Sequence, residues 1–256
     1  MPTYSRPNRV ARALQRSCSQ SSGTLRAMNG LLLIDKPKGW TSFDVVAKVR
    51  GVIAAYTRAN QLPRLKVGHT GTLDPMATGL LVLAIGNYTK KIATLTKHDK
   101  TYIAKITLGK TSNTDDVEGE LIDVSGIEPS NDAVFEALQS FVGDSMQVPP
   151  QFSAIKIGGV RSYKAARAGE QVALQPRPVK IYAITDVVYK YPTVSCMVSV
   201  GSGTYIRSIA RDLGQKLGTG AYLSDLRRTT VGGFSVNAAV SPENLSIEVI
   251  DQKLLA

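Results

Sequence analysis

The segment GHTGTLDPMATG, residues 68–79, presents one acidic side chain, Asp74, in a setting suited to chemistry. Three glycines and one proline within twelve residues do not fit the interior of a helix or strand, so the segment is predicted to be a shaped loop. Pro75 favours an extended conformation at Asp74. A carboxylate held in this way can act as a nucleophile or as a general acid or base. An aspartate before a proline is also a common turn former, and the residues alone leave both interpretations open.

The remaining reactive side chains do not indicate a metal site. The two cysteines, Cys18 and Cys196, are far apart in the chain and belong to no paired motif. The two histidines, His69 and His98, have no cysteine or histidine neighbours at metal-ligand spacing. We therefore predict that the protein binds no metal and that it resides in a reducing compartment.

The charge balance favours a polyanionic partner. Lysine and arginine outnumber aspartate and glutamate by 31 to 20, which gives a net charge of +11 and an isoelectric point near 9.7. Such a chain binds phosphate backbones through charge neutralisation and counterion release, so nucleic acid is the leading partner class. Charge alone fits equally well a basic protein whose net charge only maintains solubility.

Hydrophobic periodicity indicates a mixed α+β fold. The predicted strands alternate irregularly with the helices, and several of these strands are half-buried. This pattern favours a mixed, largely antiparallel central sheet flanked by helices, and it argues against a doubly wound βαβ fold. No apolar stretch approaches the roughly 20 residues needed to cross a membrane. The predicted strands are residues 30–35, 80–86, 102–108 and 194–200, and the predicted helices are residues 42–53, 130–141 and 204–217.

The N-terminal segment differs in composition from the rest of the chain. Residues 1–27 contain five arginines, five serines and no acidic residue, as is typical of organellar transit peptides. We therefore predict a mitochondrial or other organellar location; a cytoplasmic protein with a disordered basic arm is the alternative. The predicted domains are this extension at 1–27, a catalytic domain at 28–240 and a short tail at 241–256.

Five sequence blocks resemble those of the TruB family of pseudouridine synthases and follow one another in the family's order. The resemblance implies the fold of that family. The segment around Asp74 resembles the family's catalytic motif, and together the blocks cover nearly all of residues 29–234. A match this long and ordered is far more specific than an isolated Asp-Pro pair. The blocks are GLLLIDKPKGWTS (30–42), GHTGTLDPMATGLL (68–81), DKTYIAKITLGKTSNTDDVEG (99–119), VPPQFSAIKIGGVRSYKAAR (148–167) and GTYIRSIARDLGQKLGTGAYLSDLRRTTVGGF (203–234).

The resemblance implies three catalytic residues, Asp74, Tyr102 and Arg207, and a reaction that needs no cofactor. Asp74 would act on the target nucleoside, and Arg207 would keep it ionised and oriented through a charge-assisted hydrogen bond. Tyr102 would stack on the extracted uracil, where stacking contributes on the order of 1–3 kcal/mol, and would assist removal of the C5 proton. Without the resemblance, we would interpret Arg207 as a helix residue that faces solvent and Tyr102 as a tyrosine of the hydrophobic core.

The resemblance also implies a set of RNA-binding residues. The segment that contains Gly158 and Gly159 corresponds to the family's thumb-like RNA-binding insertion, which would close on the substrate. Its basic residues would hold phosphates without reading sequence. The predicted RNA contacts are His69, near the space left by the flipped base, then Lys156, Arg161, Lys164 and Arg167 in the insertion, and Lys36, Arg227 and Arg228 elsewhere.

The implied activity is isomerisation of the uridine at position 55 in the tRNA T-loop, by recognition of the T-arm and extrusion of the target base. The alternative is a non-catalytic relative that acts as a tRNA-folding chaperone or as a subunit of an organellar ribonucleoprotein. Only 22 residues follow Phe234, so we expect the catalytic domain to lack the small C-terminal RNA-binding domain of many relatives. A monomer is expected, with a partner protein as the alternative support for RNA.

Overall fold

The computed structural model describes residues 28–153, 156–157, 160–162 and 173–255, and it contains helices and strands in irregular alternation. Three short 3-10 helices, at Gly86–Lys91, Val236–Ala238 and Pro242–Asn244, complete the regular structure of this part of the chain. The helices are α1 (Ser42–Ala59), α2 (Ile92–Leu95), α3 (Asn131–Gln139), α4 (Ile206–Leu217) and α5 (Ile247–Lys253). The strands are β1 (Gly30–Lys36), β2 (Val67–His69), β3 (Thr78–Ile85), β4 (Lys100–Leu108), β5 (Lys110–Ser112), β6 (Leu121–Asp123), β7 (Gly143–Gln147), β8 (Lys156–Ile157), β9 (Val160–Arg161), β10 (Arg177–Lys190), β11 (Thr193–Val200), β12 (Ala221–Val231) and β13 (Phe234–Ser235).

Nine of the strands in the described ranges form one large sheet in the order β1-β3-β12-β4-β11-β10-β7, with β2 added to β3 and β13 to β12. Its pairings are antiparallel except between β12 and β3, which run parallel. The pairs β5-β6 and β8-β9 form separate hairpins. The predicted α+β fold with a mixed, largely antiparallel sheet is confirmed.

Both faces of the sheet are covered, which explains the hydrophobic patterns. The even-numbered residues of β4 from Tyr102 to Leu108 are buried against α3 and α4, as the predicted alternation requires. Strand β3 is buried on both faces, because Leu81 and Leu83 pack beneath α1 and α5 while Leu80 and Val82 pack against the opposite layer. Among the described residues, no helix is both long enough and apolar enough to cross a membrane.

Helix α1 begins where its capping residues predict. The Thr41 side chain accepts a hydrogen bond from the Asp44 backbone N–H, and the Asp44 carboxylate accepts one from the Thr41 backbone N–H, which completes a capping box. Val45, Val49 and Ile53 bury the apolar face. The cap fixes the first turn of α1, and this turn touches the loop that carries Asp74.

Strand β12 is a central element of the sheet that the hydrophobic pattern did not predict, and the longer strand β10 is another. Strand β12 lies between β3 and β4 near the centre of the sheet, so it brings residues 221–231 next to residues that precede them by more than 100 positions. Register shifts between Leu223 and Asp225 and between Arg228 and Thr230 interrupt its alternation. These irregularities place Arg228 on the side of the Asp74 loop.

Candidate active site

The Asp74 loop, residues 70–77, connects β2 to β3 and is fixed at both ends by its own backbone. The Thr70 N–H donates to the Val82 carbonyl at 3.0 Å, and the Ala77 N–H donates to the Asp74 carbonyl at 3.1 Å. The predicted shaped loop around Asp74 is therefore present, and the Asp74 backbone forms part of a tight turn.

Side chains from β1 and α1 hold the same loop from one side. The Ser42 hydroxyl accepts from the Leu73 N–H at 2.8 Å and donates to the Leu73 carbonyl at 3.0 Å. The Lys36 ammonium donates to the carbonyls of Trp40 at 2.6 Å, Pro37 at 2.9 Å and Pro75 at 3.3 Å. Lysine has three N–H donors, so this arrangement satisfies the buried ammonium group.

Arg228 of β12 holds the loop from the other side. Its Nε donates to the Leu80 carbonyl at 2.7 Å, and its terminal nitrogens donate to the carbonyls of Gly71 at 3.1 Å and Thr72 at 3.4 Å. Gly79 has a φ of +100°, and a Cβ atom there would lie 2.2 Å from the Arg228 carbonyl oxygen. The close approach of the two backbones therefore requires glycine at this position.

Burial sets two of the predicted RNA-binding residues apart from the others. Lys36 is fully buried and Arg228 is 2% exposed, so neither cation lies on the open surface, and RNA contact by either residue stays a prediction. Both side chains donate hydrogen bonds to backbone carbonyl oxygens of the loop and of residues beside it. The sequence could not reveal this, because a basic residue inside a charged block looks the same whether its side chain is buried or exposed.

Arg207 forms a two-point ion pair with Asp74. The Arg207 Nε lies 3.1 Å from Asp74 Oδ2, and a terminal nitrogen donates to Asp74 Oδ1 at 3.3 Å. The other N–H groups of Arg207 donate to the carbonyls of Phe152 at 2.9 Å and Thr114 at 3.1 Å and to Asp116 Oδ2 at 3.2 Å. Its five N–H groups therefore face five acceptors, so the guanidinium has one well-defined orientation.

Asp116 is a site residue that the sequence reasoning did not single out. Its side chain is almost fully buried behind Arg207, and it also accepts hydrogen bonds from the Thr114 hydroxyl at 2.6 Å and the Glu118 N–H at 3.0 Å. The only available signal was a pair of adjacent aspartates in the block TSNTDDVEG. Arg207 therefore lies between two carboxylates, that of Asp74 on one side and that of Asp116 on the other.

Asp74, Tyr102 and Arg207 line one cleft of about 270 Å³. This volume lies just below the usual range for sites of drug-sized ligands, as a pocket for a single nucleobase would. Tyr102 is 7% exposed and forms part of the wall, while Tyr205, Leu226 and Arg228 close other sides. The three residues predicted to be catalytic are thus brought together, although their roles remain predictions.

Burial shapes the electrostatics of the cleft. Loss of solvent raises the pKa of the Asp74 carboxyl group above its ordinary value; the charge of Arg207 opposes this shift and that of Asp116 adds to it. Burial also lowers the pKa of Lys100, another residue of the cleft wall, to about 8. The Lys100 ammonium donates to the carbonyls of Thr96 and His98. The cleft therefore contains a carboxyl group and an amine that both titrate closer to neutrality than free side chains.

The other predicted RNA-binding residues occupy different settings. His69 lies at the end of β2; its Nδ1 is buried without a hydrogen-bond partner, and burial lowers its pKa. Arg227 is partly exposed and makes a two-point pair with Asp35 at 3.0 and 2.8 Å. Lys156 and Arg161 are backbone partners in the hairpin of β8 and β9. The predictions for Lys164 and Arg167 lie outside the described residues.

Two family models match the chain. Residues 58–206 match the TruB family pseudouridylate synthase N-terminal domain, and residues 207–255 match the tRNA pseudouridylate synthase B C-terminal domain. The second match begins at Arg207 and includes β12, a central strand of the large sheet. The predicted boundaries at residues 27 and 240 remain predictions. In the part of the chain that the structure describes, no group of three or more His, Cys, Asp or Glu side chains could hold a metal ion.

Curated relatives are named for this family, and solved structures share the fold. The chain is 46% identical over 236 residues to tRNA pseudouridine synthase B of Streptomyces avermitilis, covering 88% of this chain and 75% of the relative. It is 43% identical over 229 residues to the protein of that name from Thermobifida fusca. A crystal structure of a Cbf5-Nop10-Gar1 complex matches with a TM-score of 0.63 and 30% identity over 85% of this chain, which spans only 54% of that one. An archaeal Nop10-Cbf5 complex matches with a TM-score of 0.62 and 26% identity, covering 90% of this chain and 60% of that one.

Proposed function

The chain belongs to the TruB family of pseudouridine synthases, and we propose that it isomerises the uridine at position 55 of the tRNA T-loop with Asp74 as the catalytic carboxylate. The enzyme class, a tRNA pseudouridine synthase, follows from the family and from relatives of that name. One observation supports the catalytic assignment: the Asp74 carboxylate lies in a cleft the size of a nucleobase and is bound by two nitrogens of the buried Arg207.

The reaction breaks the bond between C1′ and N1 of the nucleoside and joins C1′ to C5, while the C5 proton is lost and N1 gains one. No other reactant is consumed, so a positioned carboxylate is chemically sufficient. In the proposed mechanism Asp74 acts in its ionised form on the flipped nucleotide, as a nucleophile or as an acid-base group. Arg207 keeps the carboxylate oriented, and the detached uracil is held in the cleft while it turns.

Tyr102 is proposed to stack against the flipped base. Its side chain is mostly buried in the cleft wall, so the ring is held in place before the substrate arrives. Stacking of a base on an aromatic ring contributes on the order of 1–3 kcal/mol, which offsets part of the cost of taking the nucleotide out of its stack. The charge of the chain and its basic insertion support binding to the RNA backbone.

Incubation of the purified protein with an unmodified tRNA transcript, followed by chemical mapping of pseudouridine, tests this proposal. We expect one new pseudouridine at the T-loop position. A mark at a different uridine would overturn the site assignment but not the activity. Tight tRNA binding without any mark would favour the non-catalytic RNA chaperone instead.

The proposed organellar location rests only on the composition of residues 1–27, which lie outside the described residues. Fusion of these residues to a fluorescent reporter tests it. Accumulation of the reporter in mitochondria or another organelle is expected, whereas an even cytosolic signal would favour the basic-arm alternative.

A further inference from the structure

A second arginine, Arg211, lies one helical turn after Arg207 on α4 and also donates to several acceptors. Its NH1 lies 3.1 Å from Asp115 Oδ2, and its Nε donates to Asp212 Oδ1 at 2.9 Å. Its NH2 donates to the Val148 carbonyl at 2.9 Å. About four fifths of the Arg211 side chain is shielded from solvent, so these are partly buried contacts rather than a solvated surface pair.

The first partner of Arg211 belongs to the turn that holds Arg207. Asp115 has a φ of +61°, a strained conformation for a residue with a side chain, and its carboxylate is 15% exposed. Its immediate neighbours, Thr114 and Asp116, provide the carbonyl and the carboxylate that accept from Arg207 NH1. An ion pair that stabilises Asp115 in this conformation therefore also places both acceptors.

The second partner of Arg211 belongs to another segment that contacts Arg207. The Val148 carbonyl accepts from Arg211 and also from the Ser208 hydroxyl at 2.8 Å. Four residues later in the same segment, the Phe152 carbonyl accepts from Arg207. Arg211 thus fixes, on two sides, the segments whose acceptors orient the catalytic arginine.

We infer that Arg211 is a positioning residue for catalysis: by clamping Asp115 and Val148 it sets the orientation of Arg207 and, through it, of Asp74. This inference rests on the proposed function, because its measured consequence is the rate of pseudouridine formation. Arg211 does not line the cleft. Its loss should therefore slow the chemical step and leave tRNA affinity nearly unchanged.

The test compares Arg211→Met with wild type in single-turnover assays under saturating enzyme. Methionine keeps much of the aliphatic stem but cannot bind Asp115 or Val148. We expect a rate constant about tenfold lower, with a tRNA Kd within about twofold of wild type. The control is Ile250→Ala, a core truncation in α5 that lies in a different hydrophobic cluster from α4. Assayed at an equal margin below its Tm, the control should keep the wild-type rate.

Two further variants separate positioning from simple loss of stability. Arg211→Lys retains a cation beside Asp115 and should restore a substantial part of the rate. Asp115→Asn should slow the reaction by a similar factor, and the double variant Arg211→Met with Asp115→Asn should be little slower than either single variant. If Arg211→Met fails to fold, Arg211→Lys and Asp115→Asn carry the test.

Three results would overturn the inference. The first is a wild-type rate in Arg211→Met, and the second is a rate loss no larger than that of the control at matched stability. The third is a raised Kd with an unchanged rate constant, which would make Arg211 an RNA-binding residue. A wild-type protein that forms no pseudouridine would instead refute the proposed function, so the two failures are distinguishable.

Discussion

The two sides of the cleft are built differently. The Asp74 loop is held from the core by side chains of three elements, namely Lys36 of β1, Ser42 of α1 and Arg228 of β12. The opposite side, residues 148–153 at the base of the insertion, is held mainly by side chains of one helix, α4. Buried cations therefore fix the Asp74 loop from within the fold, whereas residues 148–153 depend mainly on α4 for their position.

Among the changes that test this difference, replacement of Arg228 is expected to have the largest effect, and that effect is on stability. A change of Arg228 to methionine would leave the carbonyls of Gly71, Thr72 and Leu80 without their donor inside the protein. We expect the free energy of unfolding to fall by about 2–4 kcal/mol, measured by urea denaturation.

The neighbouring Arg227→Met is the matched control for that experiment. Arg227 pairs with Asp35 at a partly exposed position, so its loss should cost below about 1 kcal/mol. Equal losses for the two variants would show that the buried carbonyl contacts do not stabilise the loop.

The second prediction concerns Arg207→Lys. An ammonium cannot make the two-point contact with Asp74 while also reaching Thr114 and Asp116, so we expect kcat/KM to fall about 100-fold, or about 2.7 kcal/mol. Arg58→Lys, at the exposed end of α1, serves as the control and should behave as wild type. Wild-type kinetics for Arg207→Lys would show that the forked geometry is unimportant.

The third prediction separates the buried cations from those proposed to contact RNA. Affinity for tRNA should fall about tenfold or more between 50 and 200 mM salt, because several phosphates are neutralised on binding. Lys164→Gln should reduce the slope of log K against log salt by about one, and Arg228→Met should not change it. A flat salt response would contradict the proposed basic surface.

The fourth prediction is the shape of the pH profile. Because burial raises the pKa of Asp74 and we propose that its ionised form reacts, kcat/KM should decline as pH falls through this raised value. The acid limb should therefore lie at higher pH than for a carboxyl group in water. Arg207→Met, which removes the charge that lowers this pKa, should move the limb further up. A limb that moves down or stays in place would contradict the electrostatic role of Arg207.

The sequence indicated the residues of the cleft better than the side chains that support them. The family resemblance indicated Asp74, Tyr102 and Arg207, which line one cleft, and periodicity indicated β1, β3, β4 and α1, because those signals are local. Strand β12 was missed because its bulges interrupt the alternation.

Local sequence patterns did not predict which polar side chains are buried in the folded protein. The burial of Lys36 and Arg228 is decided by strands that meet only in the folded sheet, so the sequence did not show that both side chains are buried. The position of Asp116 behind Arg207 depends in the same way on contacts between segments 91 residues apart.

The most direct test of the central claim is the formation of pseudouridine by Asp74→Asn on an unmodified tRNA transcript, with tRNA binding measured in parallel. Asparagine has nearly the same shape but cannot become an anion. We expect no detectable product together with a Kd within a few fold of wild type. Product formed at a rate near that of the wild type would contradict the catalytic role of Asp74.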